Sequence, residues 1–543
     1  MKNKYWIVDT ENLSKVEEIF IGYSISEDGS FYHNEKPKIL DGTGCYTCIE
    51  SFSDKIIISQ DFLGMQGIYH FQHENRNIFS NGFKIIVDYI TDLKLNLTLD
   101  KNFCIHYIFS NEEPVNVNDT MINEIKRIGK DYNVEISLDG KIKFIEKDYE
   151  VNTVKIDSKE AIDIIDKWHN KWCNVFRNLV KLNSPILVDL SGGMDSRCCF
   201  GLLLNSNIDK NNIIIKRNIP KKTAYTKNYE DWDISQEIVD KYGYNDRVNI
   251  EKYNMIKNKD NKEDQNIPTF EEFDNLIFGN SKICDYYSPL YSEPIFHING
   301  IYGDRMHLDG LDEIYEDIRN KKKKYTKDMK KEDVQILWDN LDKNINLIFK
   351  KYEAKNRTLY HGDFFSEYIN RFYGSKITTK IFHNDILITP FSDPLIHKIQ
   401  IYLERSKTYF YGYALIYTRY FDGLLNFRLQ ANPKPRYFTE EEINFAKKQC
   451  EKYPLQKMEY DYIPNLVDET KIINKLTFKQ DDVKKVLEKR LKEAEEQFVN
   501  IFGKEYFELA MNDLKKESIK MQNYMTPIVA ICSILKKLNN VNK

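Results

Sequence analysis

The sequence is poor in proline and glycine, nearly balanced in charge and without a long apolar run. Its 543 residues include only 22 glycines and 14 prolines, too few for a fibrous or linker-dominated chain. The 79 basic and 83 acidic residues give a net charge of -4, which provides no electrostatic footprint for nucleic acid. The longest late apolar run, residues 528–535, is too short to cross a bilayer. These absences argue against nucleic-acid and membrane partners.

Cysteine is also scarce. Nine cysteines are scattered along the chain, far below the density of a disulfide scaffold, and this favours a reducing compartment. Near the N-terminus Asp9 interrupts the sequence before a signal-peptide core could form. We therefore expect a cytoplasmic protein. Cys45 and Cys48 form a lone Cys-x-x-Cys pair, interpreted as structural because zinc or redox chemistry needs a second pair or a thioredoxin-like context.

The apolar pattern divides the chain into a β-rich part and a part that alternates helices with buried strands. Residues 1–150 contain short β-branched and aromatic runs between polar turns, which predict strands. Residues 134–145 predict a hairpin around a type I′ turn at Asp139-Gly140. From Ser158, a helix cap, apolar residues recur at helical spacing. The length allows two or three domains, and we place them at residues 1–152 and 153–543.

A stripe of apolar residues near the C-terminus predicts an amphipathic helix. Packing within the chain is the favoured explanation, with a homodimer contact as the alternative. The stripe consists of Val483, Val486, Leu487, Leu491, Ala494, Phe498 and Phe502.

The most informative segment is Ser191-Gly-Gly-Met-Asp-Ser196, hereafter the Ser191–Ser196 loop. An apolar strand at residues 185–190 leads into it, and an apolar helix at residues 198–204 follows. The two glycines let an anion approach the backbone, and the amides at a helix start attract it. The serine hydroxyls add hydrogen bonds, and Asp195 can bind Mg²⁺ through oxygen. The pattern predicts a phosphate-binding loop that is neither a Walker A loop nor a dinucleotide fingerprint.

The Ser191–Ser196 loop matches the pyrophosphate loop of the ATP pyrophosphatases, which cleave ATP between its α and β phosphates. The rest of the chain resembles the asparagine synthetase branch of that family. Residues 212–216 are similar to the family's next strand, and residues 231–239 to its following helix. Pro390-Phe-Ser-Asp393 is similar to a family segment that is more architectural than catalytic.

Residues 298–306 resemble the family's second phosphate and metal loop, which normally reads Gly-acid-Gly-small-Asp-Glu. Gly300 and Gly303 keep the pattern, and the resemblance implies that Asp304 is a second Mg²⁺ carboxylate beside Asp195. Two positions depart from the pattern, because Ile301 replaces the acid and Arg305 replaces the glutamate. The resemblance thus implies ATP and Mg²⁺ as ligands. The expected ATP-binding residues are Leu190, Ser191, Gly192, Gly193, Asp195, Ser196 and Gly300.

The first part of the chain resembles class II glutamine amidotransferase domains. Residues 60–69 are similar to their Arg-Asp-x-x-Gly-x-x-Pro-Leu-Tyr segment, and residues 79–84 and 120–129 follow in family order. The glutaminases of this class use an N-terminal cysteine, whereas this sequence begins Met1-Lys2-Asn3 and has its first cysteine at Cys45. We therefore expect a degenerate domain without glutaminase activity.

The resemblance implies a fold in two parts. An α+β, amidotransferase-like β-sandwich domain would precede an α/β ATP-pyrophosphatase domain with a parallel sheet and added helices. The expected function is ATP-dependent amide formation through an acyl-adenylate, on a peptide, natural-product or sugar-acid carboxylate with an amine acceptor. Lys434 is a candidate for a cationic role when the amine attacks.

Two other functions compete with this expectation. The substitutions at Ile301 and Arg305 suggest a non-catalytic nucleotide-binding protein, although Asp195 and Asp304 are retained. An RNA-modifying pyrophosphatase of the thiolase kind is disfavoured by the acidic balance. The ten histidines show no convincing ligand spacing, and His297 and His307 are interpreted as polar contacts.

Overall fold

A computed structural model gives the fold of most of the chain. The residues that it describes are 5–109, 117–147, 154–217, 227–248, 252–255, 290–291, 294–303, 316, 319–320, 323, 325–354, 384–400, 410–429, 436–456, 458–467, 474–477, 480–516 and 524–541.

The first part of the chain forms two antiparallel sheets. Its strands are β1 (Ile7–Asp9), β2 (Ile19–Ile25), β3 (Phe31–His33), β4 (Gly44–Ser51), β5 (Lys55–Gln60), β6 (Tyr69–His73), β7 (Arg76–Ser80), β8 (Ile125–Arg127), β9 (Tyr132–Ser137) and β10 (Ile142–Glu146). One sheet has the order β1-β7-β6-β8 and the other β10-β9-β5-β4-β2-β3. Apolar side chains of both sheets, such as Phe79 and Ile58, share one core, so the sheets form a sandwich.

The predicted hairpin is confirmed, but its turn is of another type. Strands β9 and β10 pair antiparallel, with Ile136 opposite Ile142. Gly140 has a φ of 83° and Asp139 has no positive φ, so the turn is not type I′. The Gly140 amide donates to the Ser137 carbonyl at 2.8 Å, as in a type I turn followed by a left-handed glycine.

The second part of the chain contains a parallel sheet. The described strands of this part of the chain, which belong to three sheets, are β11 (Val154–Lys155), β12 (Ile186–Asp189), β13 (Ile213–Lys216), β14 (Lys252–Met255), β15 (Leu290–Tyr291), β16 (Ile295–Ile298), β17 (Asp385–Ile388), β18 (Ile399–Gln400) and β19 (Asn474–Thr477). The order β13-β12-β16-β17 makes a four-stranded sheet in which every pair is parallel. The mixed α/β fold is therefore confirmed in general terms, while the domain boundary stays a prediction.

The described residues contain fourteen α-helices. The helix from Ser158 is confirmed, because the Ser158 hydroxyl accepts the Ala161 amide at 3.1 Å. Among the residues that the structure describes, no helix has both the length and the apolar character needed to cross a membrane. The helices are α1 (Phe83–Asp92), α2 (Lys101–Phe109), α3 (Lys159–Val180), α4 (Met194–Asn205), α5 (Lys227–Tyr242), α6 (Lys331–Ala354), α7 (Pro394–His397), α8 (Tyr411–Tyr420), α9 (Asp422–Leu425), α10 (Glu440–Lys452), α11 (Gln480–Glu493), α12 (Glu495–Phe502), α13 (Lys504–Lys515) and α14 (Met525–Val541).

The C-terminal apolar stripe packs inside the chain. Its members Leu487, Leu491 and Phe498 share a core with residues of α1 and α2, such as Val87 and Ile105. The stripe spans two helices rather than one, because α11 ends at Glu493 and α12 begins at Glu495. The last helices thus cover the first part of the chain.

A buried ion cluster joins the sandwich to the second part of the chain. Lys171 of α3 lies 3.0 Å from Asp393 and 3.4 Å from Asp41, and it donates to the Thr43 hydroxyl at 2.7 Å. The side chains of Lys171 and Asp393 are 3% and 1% exposed, so water solvates neither charge. Trp172 donates its indole N–H to Asp393 at 3.0 Å. This cluster explains the architectural role expected for Asp393.

The variant Lys171→Ala should unfold more easily than the wild type. It leaves two carboxylates without their cation, which costs about 3–5 kcal/mol at a buried site. Urea denaturation measures this loss in free energy of unfolding. The exposed Lys181 offers a control, since Lys181→Ala should change stability by about 0.5 kcal/mol or less. Equal small losses in both variants would contradict the assigned role of Lys171.

Candidate functional site

The Ser191–Ser196 loop lies at the point where the strand order of the parallel sheet reverses. A single parallel bridge between Ile215 and Val248 continues the sheet beyond β13. If these strands are numbered in chain order, their order across the sheet is therefore 3-2-1-4-5. This order reverses between β12 and β16. Ligands of open α/β sheets bind in the crevice at the carboxyl ends of the strands at such a point. Both predicted loops leave the sheet from these two strands.

Internal hydrogen bonds fix the shape of the Ser191–Ser196 loop. The Ser196 hydroxyl accepts the Ser191 amide at 3.0 Å and lies 2.8 Å from the Ser191 hydroxyl. The Ser191 hydroxyl accepts the Gly193 amide at 3.1 Å. Leu190 continues the strand, because its amide donates to the Lys216 carbonyl at 3.0 Å. The two serine hydroxyls thus hold the loop itself.

The helix that follows the loop starts without a side-chain cap. Gly193 is the N-cap of α4 and supplies no side-chain hydrogen bond to the first turn. The structure starts this helix at Met194, earlier than the sequence predicted, so Asp195 and Ser196 lie in its first turn. The first amides of an uncapped helix form a favourable position for an anion.

A carboxylate from α5 already contacts the loop. Asp231 accepts a hydrogen bond from the Gly192 amide. A Cβ at Gly192 would lie 3.0 Å from Asp231 Oδ1, so the glycine permits this close approach. Burial raises the pKa of Asp231, while the Gly192 amide and the cations Arg217 and Arg197 oppose the rise. The Asp231 carboxylate therefore already occupies one amide of the loop.

A completely buried arginine lies beneath the loop. Arg197 donates through Nη2 to the Gly192 carbonyl at 3.0 Å and to the Arg428 carbonyl at 2.5 Å. It also donates through Nη1 to the Phe427 carbonyl at 3.3 Å. Burial lowers the pKa of Arg197, but a guanidinium stays charged in proteins. A fixed positive charge therefore lies below the loop.

The second predicted loop forms a turn that packs directly on Asp195. In this Gly300–Gly303 turn, the Gly303 amide donates to the Gly300 carbonyl at 3.1 Å. A Cβ at Gly300 would lie 2.6 Å from Asp195 Cβ and 2.8 Å from the Ser196 amide nitrogen. Tyr302 has a φ of 74°, which is strained for a residue with a side chain. The structure thus brings together Gly300 and Asp195, which the sequence placed in one site.

Two tyrosines of α8 bind the start of α4. The Tyr413 hydroxyl contacts the Asp195 carboxylate and also lies 3.1 Å from the Gly303 carbonyl. The Tyr417 hydroxyl donates to the Met194 carbonyl at 2.6 Å. Burial raises the pKa of both hydroxyls far above the ordinary range, so both stay protonated donors.

Four residues singled out in the sequence lie outside the described residues. They are Asp304, Arg305 and His307, which follow the Gly300–Gly303 turn in sequence, and Lys434. The described residues Leu429 and Arg436, on either side of the Lys434 segment, pair with each other. Phe427 and Arg428, just before this pair in sequence, contact Arg197 through their carbonyl groups.

Mg²⁺ is the metal that the resemblance implies, and Asp195 is the described carboxylate that fits it. Mg²⁺ in proteins is usually held by one or two carboxylates together with substrate phosphates. Across the described ranges, no group of three or more His, Cys, Asp or Glu side chains is arranged to hold a metal ion.

Comparisons with known proteins identify no relative of this sequence. The sequence matches no protein-family model and none of the curated proteins. Membership of the asparagine synthetase family therefore stays a prediction.

Several contacts of the site were missed from the sequence. Asp231 lies in a segment that the sequence singled out, and Arg197 directly follows the Ser191–Ser196 loop, but neither received a role. Tyr413 and Tyr417 are four residues apart on one helix, and this spacing was the signal that both could reach one neighbour.

Adding a methyl group at Gly300 should loosen the site. In Gly300→Ala the new Cβ meets the backbone of the first turn of α4, and such overpacking costs about 1–3 kcal/mol. Urea denaturation tests this loss. A suitable control is Gly129→Ala, whose Cβ would meet only the edge of the Tyr132 ring, at 3.2 Å. A Gly300 variant as stable as the control would contradict the close approach.

Removing the charge of Asp231 should strengthen anion binding at the loop. Two like charges about 4 Å apart repel by about 4 kcal/mol at an effective dielectric constant of 20. Part of that energy is enough for Asp231→Asn to bind inorganic pyrophosphate about tenfold more tightly. Calorimetric titration provides the measurement.

The advantage of Asp231→Asn should shrink as the pH falls. Burial raises the pKa of Asp231, so the wild-type carboxyl becomes neutral at a higher pH than an ordinary aspartate. Protonation then makes the wild type resemble the variant. A difference in affinity that does not depend on pH would contradict charge repulsion as the cause.

Proposed function

We propose that this protein is an ATP-dependent ligase that forms carbon–nitrogen bonds and releases AMP, similar to asparagine synthetase. A substrate carboxylate would attack the α-phosphate of ATP, giving an acyl-adenylate and pyrophosphate. An amine would then attack the acyl carbon and displace AMP. Residues 153–543 would form the ATP-pyrophosphatase domain, and residues 1–152 a degenerate class II amidotransferase domain.

The observation that carries this proposal is the position of the Ser191–Ser196 loop. It lies at the reversal of strand order in a parallel sheet, with an uncapped helix behind it and a buried Arg197 below it. The Gly300–Gly303 turn packs against the same carboxylate that the resemblance assigns to Mg²⁺. This close contact between two segments about 100 residues apart supports the proposal.

The first part of the chain supports the resemblance through residues 60–69. Asp61 accepts the amides of Leu63 and Met65, and it fixes a tight turn. Gly64 and Gly67 have φ values of 60° and 74°, which glycine adopts without strain. The backbone conformation of the turn therefore explains why glycine occupies these two positions of the likeness. The two sheets around them form a sandwich.

The chemistry of the site would consist of positioning and charge neutralisation. The amides at the start of α4 and the charge of Arg197 would bind the pyrophosphate part of ATP. Asp195 would hold Mg²⁺, and the ion would supply charge neutralisation for a phosphate leaving group. Tyr413 and the Gly300–Gly303 turn would hold the Asp195 carboxylate in place.

The amine would be free ammonia or part of a second substrate. Among the described residues of the first part, the cysteines are Cys45, Cys48 and Cys104, and all are completely buried. Burial raises the pKa of each thiol, that of Cys48 to about 12, so none is a ready nucleophile for glutamine. A peptide, natural-product or sugar-acid carboxylate fits such a reaction, and closure of an internal amide is one form of it.

A non-catalytic nucleotide-binding protein is the second candidate. It is favoured because side chains of the protein itself already contact the groups that would bind the ligand. Tyr413 contacts Asp195, and Asp231 contacts Gly192. Ile301 also offers no carboxylate at the position where the resemblance expects one.

Nucleotide binding should depend on Asp195. We expect the wild type to bind α,β-methylene-ATP with Mg²⁺, and Asp195→Ala to bind it at least about tenfold more weakly, a loss of about 1.4 kcal/mol. Isothermal calorimetry measures both affinities. The control is Asp233→Ala, which removes an exposed carboxylate on α5 and should leave the affinity unchanged. Equal affinities in all three proteins would show that Asp195 does not take part in nucleotide binding.

Exchange of labelled pyrophosphate into ATP separates the two candidates. A ligase catalyses this exchange in the presence of its carboxylate, so a panel of amino acids, N-acylated amino acids and uronic acids should contain an active compound. Nucleotide binding without exchange for any compound would favour the non-catalytic candidate.

A further inference from the structure

Three ionisable side chains meet on one face of the parallel sheet, outside the contacts described so far. Leu187 of β12 is opposite His297 of β16, and Ile295 is opposite Asp385 of β17. Since alternate residues of a strand share a face, Asp189, His297 and Asp385 project from the same side. His297 is completely buried and Asp385 is 1% exposed, whereas Asp189 is 28% exposed.

The imidazole of His297 lies between the two carboxylates. Its Nδ1 is hydrogen-bonded to Asp385 Oδ1 at 3.0 Å, and Nδ1 is the donor when the Asp385 carboxylate is ionised. Its Nε2 lies 2.9 Å from Asp189 Oδ1, without the alignment of a good hydrogen bond.

Asp189 connects this buried group to the candidate site. It is the last residue of β12, two residues before Ser191, at the strand ends where the sheet order reverses. Asn299, at the end of β16, donates from Nδ2 to Asp189 Oδ2 at 2.5 Å. Asn299 Oδ1 in turn accepts the Ile301 amide at 2.8 Å. Asp189 thus places a carboxylate beside the turn in which Ile301 provides none.

We propose that Asp189 is a catalytic residue, which binds the amine substrate as its ammonium form and takes up one of its protons. This inference rests on the proposed ligase function. An alkylammonium group must lose a proton before its nitrogen can attack, and Asp189 accepts that proton. The carbon–nitrogen bond then forms while the bond between the acyl carbon and the AMP oxygen breaks. The second proton leaves with the phosphate of AMP, which balances the reaction.

His297 and Asp385 act through Asp189 and are positioning residues. His297 directs Asp189 Oδ1, and Asp385 fixes the ring of His297 through Nδ1. Because both are buried, this orientation does not depend on the solvent. The substrate class that follows is a primary amine that is protonated at neutral pH, as the lysine side chain is.

Two nucleophiles of different basicity test the proposal. Hydroxylamine is a weak base that attacks acyl-adenylates as a neutral molecule, so it needs no proton acceptor beforehand. Ammonium, ethylamine and lysine all require one. The assay uses the full-length protein with ATP, Mg²⁺ and the carboxylate that is most active in pyrophosphate exchange. It measures exchange, hydroxamate formation and amide formation for the wild type and for Asp189→Asn.

The expected result is a selective loss. Asp189→Asn should keep exchange and hydroxamate formation within about threefold of the wild type and lose amide formation by about 100-fold or more, which is the range for a general base. Asp385→Asn, at the far end of the group, should show a smaller loss of the same selective kind. Asp233→Asn, which removes an exposed carboxylate elsewhere, should leave all three rates unchanged.

Other outcomes overturn the proposal in distinguishable ways. If all three rates fall together in Asp189→Asn and Asp385→Asn, the group is only structural. If amide formation is unchanged in Asp189→Asn, or the wild type forms hydroxamate but no amide with any of the amines, Asp189 is not the acceptor. If the wild type shows no exchange with any carboxylate, the ligase function fails, and the role of Asp189 fails with it.

Discussion

The close approach of the Gly300–Gly303 turn to the first turn of α4 is the constraint on which the site depends. At Gly300 a Cβ would overlap Asp195 Cβ and crowd the Ser196 amide, and at Gly303 it would lie 2.6 Å from the Tyr413 hydroxyl. Only residues without a side chain allow this contact. Because β12 and β16 are neighbours in the sheet, their loops leave it side by side. The glycines then determine how near the two backbones come, and Asp195 is held between them.

Polar groups that the fold keeps away from water support this contact. Arg197 is completely buried and bonds only to carbonyl groups in its described contacts, while the hydroxyls of Tyr413 and Tyr417 bind the first turn of α4. A buried polar group is costly unless it is hydrogen-bonded, so each of these bonds also restricts where the loop can lie. The loop is therefore preorganised. Asp231 partly balances the positive charge that this arrangement collects.

Local sequence predicted the loop well, and contacts distant in sequence less well. The strand, the Ser191–Ser196 loop and α4 follow one another directly, so spacing and glycine content were enough to identify them. Asp231 lies about 40 residues from Gly192, and Tyr413 about 220 residues from Asp195, so no local pattern could join them. The turn at Gly140 was assigned the wrong type, because Asp139 offered a familiar sequence and the backbone adopted positive φ only at the glycine.

The Asp189–His297–Asp385 group shows where a local interpretation loses information. Each residue is the single ionisable side chain of a short apolar strand, and each taken alone suggests an ordinary polar contact. Only the register of three parallel strands brings them together. Burying an imidazole between two carboxylates is a poor way to gain stability, because well-packed apolar side chains of similar size often stabilise as much or more. The group is therefore weak evidence of a stabilising role, and its partly exposed end at Asp189 lies where the sheet order reverses and ligands of such sheets bind.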